Sequence, residues 1–174
     1  MPEVLIDAQG IERIIRRMAT EILDAARGSE QLALVGVRRG GVGLSRQLAA
    51  AIEAAEGRAI PVGTVDITLY RDDAALPDPK IGPSHVPFDV AGRDVVLVDD
   101  VVQTGRTVRA AIDCLQDHGR PRRIWLAALC DRGGRELPVA PDFVGRVVEV
   151  PPGRLLDVHV GDDPPDRVLI VESP

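Results

Sequence analysis

The chain has 174 residues, 45% of them hydrophobic and 28% charged, an ordinary globular mix at a length near one domain of roughly 150 residues. Its formal net charge of −6 and 2% aromatic content argue against whole-surface attraction to nucleic acid or anionic membrane, and against RNA recognition on stacked aromatic rings. A local basic patch remains compatible with both figures.

No apolar run approaches the ~20 residues needed to span a bilayer. Cys114 and Cys130 fit no metal or disulfide spacing. Met1-Pro2-Glu3 lacks the basic start and apolar stretch of a secretion signal. A soluble cytoplasmic protein with two buried thiols is expected, folded as a single domain over 1–174.

Ile11, Ile14, Ile15, Met18, Ile22, Leu23 and Ala26 recur at helical spacing, with Asp7 placed to cap the start and Gly28 to end the helix. Arg13, Arg16 and Arg17 lie on its outer face among Glu12, Glu21 and Asp24. Leu32–Val35 reads as a buried strand, followed by a glycine-rich turn over Gly36–Gly43. A second helix is predicted from about Val42 to Glu56. Residues 59–70 alternate, with Val65, Ile67 and Leu69 to one side and Thr64, Asp66, Thr68 and Tyr70 to the other, which predicts a strand with one polar face.

The stretch 71–87, with Pro77, Pro79, Pro83 and Pro87, is too long for an idle connection and is expected to be a lid loop. Val95–Val98 is continuously apolar, as in a strand covered on both faces, and delivers Asp99 and Asp100 to its end. A helix from about Thr104 to His118 and a strand over Ile124–Cys130 follow. Only short strand pieces remain, near Val144–Val150, Leu155–Val160 and Val168–Val171. Strands alternating with helices predict an α/β fold with a mostly parallel sheet. His85, His118 and His159 sit in no motif and are expected at the surface.

Ligands of such sheets bind outside the carboxyl ends of the strands. Two segments stand there. In the first, Asp99-Asp100 is followed by Gln103-Thr104-Gly105-Arg106-Thr107 at a helix start. A helix N-terminus presents unpaired N–H groups and a positive dipole end to a phosphate. Gly105 allows close backbone approach, Thr104 and Thr107 add hydroxyls, and Arg106 adds charge. Two carboxylates would repel a phosphate but suit the vicinal diol beside it. Phosphate next to diol describes a ribose 5-phosphate. The second segment, Gly36-Val37-Arg38-Arg39-Gly40-Gly41, matches neither a dinucleotide fingerprint nor a P-loop. Its backbone N–H groups and two arginines suit a polyanion.

The string Val95–Thr107 resembles the phosphoribosyl-pyrophosphate signature of type I phosphoribosyltransferases. The strings Asp66-Ile67-Thr68-Leu69-Tyr70-Arg71-Asp72-Asp73 and Asp131-Arg132-Gly133-Gly134-Arg135-Glu136-Leu137-Pro138 narrow the resemblance to the pyrimidine operon regulators of the PyrR family, essentially along the whole chain. One departure is that Arg39-Gly40-Gly41 stands where the family often has Thr-Arg-Gly.

The resemblance implies the type I phosphoribosyltransferase fold, with a small hood and a flexible lid. It implies uracil phosphoribosyltransferase activity on uracil and phosphoribosyl pyrophosphate, Mg²⁺ carried with the substrate and no direct metal ligand in the protein. UMP would be the product, and a UMP-responsive interaction with a pyrimidine operon mRNA leader a second function. By residue, it implies Asp99, Asp100 and Arg71 in catalysis, Asp99, Asp100, Gln103, Thr104, Gly105, Arg106 and Thr107 on the ribose 5-phosphate, and Arg38, Arg39 and Gly40 on pyrophosphate. Asp131 and Arg132 would face the base, and Arg16, Arg17, Thr20, Arg135 and Arg146 the RNA. A homodimer or higher homo-oligomer is expected. Two alternatives stay open: a regulator that uses the pocket only as a nucleotide sensor, and a purine phosphoribosyltransferase.

Overall fold

The computed structural model describes residues 1–72, 84–161 and 164–174. Five parallel strands form its centre, in the order β3-β2-β4-β5-β6. They are β2 (Leu32–Val37), β3 (Val62–Val65), β4 (Asp94–Val102), β5 (Arg123–Asp131) and β6 (Phe143–Val147). A separate antiparallel sheet, β1-β8-β7, joins β1 (Glu3–Ile6), β8 (Arg167–Glu172) and β7 (Arg154–His159). This is the expected parallel α/β sheet with a small hood.

The central strands β2 and β4 are buried on both faces along most of their length, and strict alternation divides the side chains of the sheet between two cores. Val96 and Val98 pack with Leu34, Ala127 and Leu129 beneath α1 (Ala8–Ala26) and α2 (Gly40–Glu56). Val95 and Leu97 pack with Val35, Leu126 and Ala128 beneath α3 (Arg106–Gln116). Each buried Val, Leu or Ile contributes roughly 1.5–3 kcal/mol relative to exposure, so the apolar run fixes the register of the residues that follow it. α1 starts where predicted, with the Asp7 carboxylate accepting from Gly10 N at 2.8 Å. It ends on Arg27 in the left-handed region (φ 54°) rather than on Gly28.

The helices after β2 and β4 run to opposite faces of the sheet. Neighbouring parallel strands whose connections diverge leave a crevice at their carboxyl ends. That crevice is where the two candidate segments meet.

Several boundaries differ from the sequence reading. β2 continues through Gly36 and Val37, and α2 begins at Gly40, so the turn between them is only Arg38-Arg39, joined by a cis peptide. β4 does not stop at the acidic pair but carries it within the strand, to Val102. α3 starts at Arg106, two residues later than expected. The predicted strand over 59–70 stops at Val65. The Asp66 carboxylate accepts from Thr68 N at 2.9 Å and Thr68 Oγ1 at 2.6 Å, an Asx-type turn that diverts the backbone. A single 3₁₀ turn, Thr68–Tyr70, follows, and Leu69 is 71% exposed.

Of the expected lid over 71–87, residues 73–83 lie outside the described residues. The described end returns to the fold, where His85 pairs with Thr64 across an isolated bridge. His85 and His118 are exposed as expected, whereas His159 is half-buried and bonded to Asp157 at 2.9 Å. Cys114 and Cys130 are both buried free thiols, and burial pushes Cys130 up to about 12. Among the described residues no helix is long and apolar enough to cross a membrane.

Candidate active site

Two adjoining cavities occupy the crevice. One, of about 270 Å³, is lined by Asp99 through Gly105, Thr107, Val108, Arg132 and Leu156. The other, of about 320 Å³, is lined by Arg38, Arg39, Gly40, Asp66, Ile67, Thr68, Arg71, Asp99, Asp100, Val101 and Thr107. They share Asp99, Asp100, Val101 and Thr107, so the acidic pair is the wall common to both.

Asp99 is nearly buried, 6% exposed, and one of its carboxylate oxygens accepts from Asp100 N at 2.9 Å. Burial, then the neighbouring Asp100 carboxylate, holds its pKa well above the ordinary carboxylate value. Asp100 is half-buried and accepts from Val101 N at 2.7 Å. Its carboxylate lies directly over Gly40, where any Cβ would overlap it. A Cβ on Gly41 would overlap the Val98 carbonyl. The arginine turn can therefore reach the acidic pair only because these two positions carry no side chain.

The 103–107 loop is braced from behind. Thr104 O accepts from Glu136 N at 2.9 Å and Leu137 N at 3.0 Å. Arg135 Nη1 donates to Gln103 O at 2.9 Å. Gly105 has φ +92°, open to glycine, and a Cβ there would overlap Val139. The loop carbonyls are thus engaged by the 135–137 segment, while the N–H groups of α3's first turn have no acceptor within the helix. Thr104 Oγ1 takes one of them, Arg106 N, at 3.2 Å.

Not every predicted residue lines a cavity. Arg106 lines neither cavity. Its guanidinium pairs with Asp72 at 2.7 Å and Glu136 at 3.6 Å, so its charge is engaged by two carboxylates. Arg132 lines the first cavity, but Asp131 is held by Arg135, with Nη2 to Oδ2 at 2.7 Å and Nη1 to Oδ1 at 2.9 Å. That pair lowers the Asp131 pKa.

Arg135 also donates to Val139 O at 2.7 Å, so it braces this loop. The other four RNA candidates lie on α1 and β6. Arg16 pairs with Glu12, and Thr20 Oγ1 donates to Arg16 O at 3.1 Å. Arg17 pairs with Glu21 at 2.9 Å and reaches Val144 O at 3.1 Å, and Arg146 reaches Leu5 O at 2.9 Å.

Sequence reasoning missed Asp66, Ile67 and Thr68 as cavity residues, because they were placed inside a strand. It also missed Leu156, which comes from β7 of the hood and had no local signal.

The chain matches the family profile described as "Phosphoribosyl transferase domain" over residues 3–152. A Bifunctional protein PyrR from Roseiflexus is 49% identical over 97% of this chain and 94% of that protein. The chain belongs to the PyrR family of phosphoribosyl transferases. Its PyrR relatives include those of Geobacter sulfurreducens, 52% identical over 83% of each chain, and Thermus thermophilus, 47% identical over 97% of this chain and 94% of that one. The hypoxanthine phosphoribosyltransferase of Trypanosoma cruzi superposes with a TM-score of 0.75 at 17% identity, covering 99% of this chain and 97% of that one. At that identity the likeness shows the fold, a type I phosphoribosyltransferase.

Proposed function

We propose that this PyrR-family chain is a uracil phosphoribosyltransferase, converting uracil and phosphoribosyl pyrophosphate to UMP and pyrophosphate, and a UMP-responsive regulator that binds a pyrimidine operon mRNA leader. The observation that carries the enzymatic half is the shared acidic wall. A helix-N-terminal loop suited to a 5-phosphate lies on one side of Asp99-Asp100, and an arginine turn suited to pyrophosphate on the other. One ligand bearing phosphate, diol and pyrophosphate in that order spans both cavities.

The carboxylates accept hydrogen bonds from the ribose hydroxyls. The N–H groups at the start of α3, with Thr104 and Thr107, hold the 5-phosphate. Arg38, Arg39 and Arg71 hold the pyrophosphate as it leaves C1 of the ribose. Uracil nitrogen attacks from the opposite face, with the base held near Arg132 and Leu156. Positive charge developing on the sugar is stabilised by the acidic pair, so rate comes mainly from orientation and electrostatics.

Among the described residues no group of three or more His, Cys, Asp or Glu side chains could hold a metal by itself. Mg²⁺ would be carried by the substrate's own oxygens, and Asp99 and Asp100, which line both cavities, are the carboxylates that would face it. When bound, its contribution is to neutralise charge on the departing pyrophosphate.

The regulatory half is supported by Arg16, Arg17 and Thr20 on one helix with Arg146 on the strand packed beside it. A homodimer or higher homo-oligomer is the assembled form in this account, and the cytoplasm its location. The sensor-only regulator and the purine enzyme remain the competing accounts.

The test is pyrophosphate release with Mg²⁺ and phosphoribosyl pyrophosphate across uracil, orotate, hypoxanthine, guanine and adenine. Turnover with uracil alone, lost in Asp99→Asn/Asp100→Asn, is the expected outcome. UMP binding without turnover on any base would leave a sensor, and turnover on a purine would reassign the base.

A further inference from the structure

Arg106 stands in the signature loop yet contributes nothing to either cavity, and its partner explains why. Asp72 Oδ2 lies 2.7 Å from Arg106 Nη1 and 3.6 Å from Arg109 Nη1. These two arginines are three positions apart on the first turns of α3 and so share a face. A carboxylate beside the N-terminus of that helix is also favoured by its dipole. Asp72 follows Arg71, which lines the pyrophosphate cavity together with Thr68. The same short segment has a second attachment to α3's C-terminal end, where Tyr70 OH donates to the Asp117 carboxylate. The run from Asp66 to Asp72 is therefore fastened to α3 at two points, with Arg71 between them.

We infer that Asp72, clasped by Arg106 and Arg109, is a positioning residue that holds Arg71 over the pyrophosphate half of the site. Arg106 thus acts on pyrophosphate through Asp72 and Arg71, and does not bind the 5-phosphate. The inference rests on the proposed role of Arg71 in binding pyrophosphate. It also joins the two halves of the substrate site, because the helix whose first turn receives the 5-phosphate fixes the arginine that receives the pyrophosphate.

Calorimetry on the full chain separates the two ligands, using pyrophosphate with Mg²⁺ in one series and UMP in the other. UMP carries the 5-phosphate but no pyrophosphate. The two ion-pair partners are 39% and 35% exposed, so the expected loss is modest. Asp72→Asn and Arg106→Gln each weaken pyrophosphate binding about three- to fivefold and leave UMP affinity unchanged. The double variant is no weaker than Asp72→Asn, and Asp72→Glu restores most of the affinity. Arg71→Gln weakens pyrophosphate about tenfold or more.

A fall in UMP affinity with Arg106→Gln matching that for pyrophosphate would make Arg106 a phosphate ligand and overturn the inference. Weakening by Arg71→Gln without weakening by Asp72→Asn would overturn the inference alone. Unchanged pyrophosphate affinity in Arg71→Gln would overturn it together with the proposed role of Arg71.

Discussion

Gly40 and Gly41 are adjacent, both begin α2, and replacing either with alanine should fail in a different way. At Gly41 the new Cβ overlaps the carbonyl of Val98, within a central strand paired on both sides. Backbone in that position cannot step aside. Overpacking of this kind costs about 1–3 kcal/mol. At 2–4 °C per kcal/mol for a chain of this size, Tm should fall by roughly 2–12 °C.

At Gly40 the overlap is with the Asp100 carboxylate, which is half-buried and can rotate away. The helix-propensity gain of alanine, up to about 1 kcal/mol, offsets part of that strain. Tm should therefore change by no more than a few degrees, while uracil turnover falls on the order of 100-fold, because Asp100 leaves the diol it must face. Thermal unfolding and pyrophosphate release on the same preparations separate the two effects. Equal loss of stability in both variants, or near-normal turnover in Gly40→Ala, would refute the claim that glycine is needed here for contact with the acidic pair.

Other consequences are as direct. Asp99 has its pKa raised in the fold, so from its ordinary value of 3.8 upward the folded chain holds a proton that the unfolded chain releases. Stability is therefore lost as pH rises through that window. Asp99→Asn should abolish turnover while raising Tm at neutral pH, and a lowered Tm would contradict the assignment. Asp94 has the opposite sign. It is 2% exposed and bonded by Arg122 Nε at 2.8 Å, which lowers its pKa. Its contribution is full above the unfolded value and lost as pH falls through the folded one. Asp94→Asn should cost about 2 kcal/mol at pH 7 and flatten the acid limb of a Tm–pH curve. Arg16→Glu should abolish binding to the mRNA leader and spare catalysis, and wild-type RNA affinity should fall steeply with salt. RNA affinity unchanged by that substitution would remove the α1 patch from the interface.

Much of the site was legible because its residues are local. The apolar run Val95–Val98, the acidic pair and the glycine at the helix start lie within one short stretch, and each has a physical role at its own position. The arginine turn is similarly local, although its actual length required seeing that Gly36 belongs to a buried strand. What could not be read depends on distant partners. The pairing of Arg106 with Asp72, 34 residues earlier, has no signal in the local string. Arg135 looked like a surface cation because Asp131, Gln103 and Val139 enclose it only in the folded chain. The alternation of Val65, Ile67 and Leu69 suggested a longer strand, but one Asp66 carboxylate bonded to Thr68 ends it. Strand β1 escaped notice because it is four residues long and its partner, β8, lies at the other end of the chain.

The central claim is that one ligand lies across the acidic pair with its phosphate on the α3 side. A crystal structure of the chain with UMP tests this most directly. The account predicts the phosphate on the N–H groups and hydroxyls of Thr104–Thr107, the ribose hydroxyls on Asp99 and Asp100, the base toward Arg132 and Leu156, and Arg106 still on Asp72. Phosphate seated instead on Arg38 and Arg39, with the ribose away from the carboxylates, would contradict it.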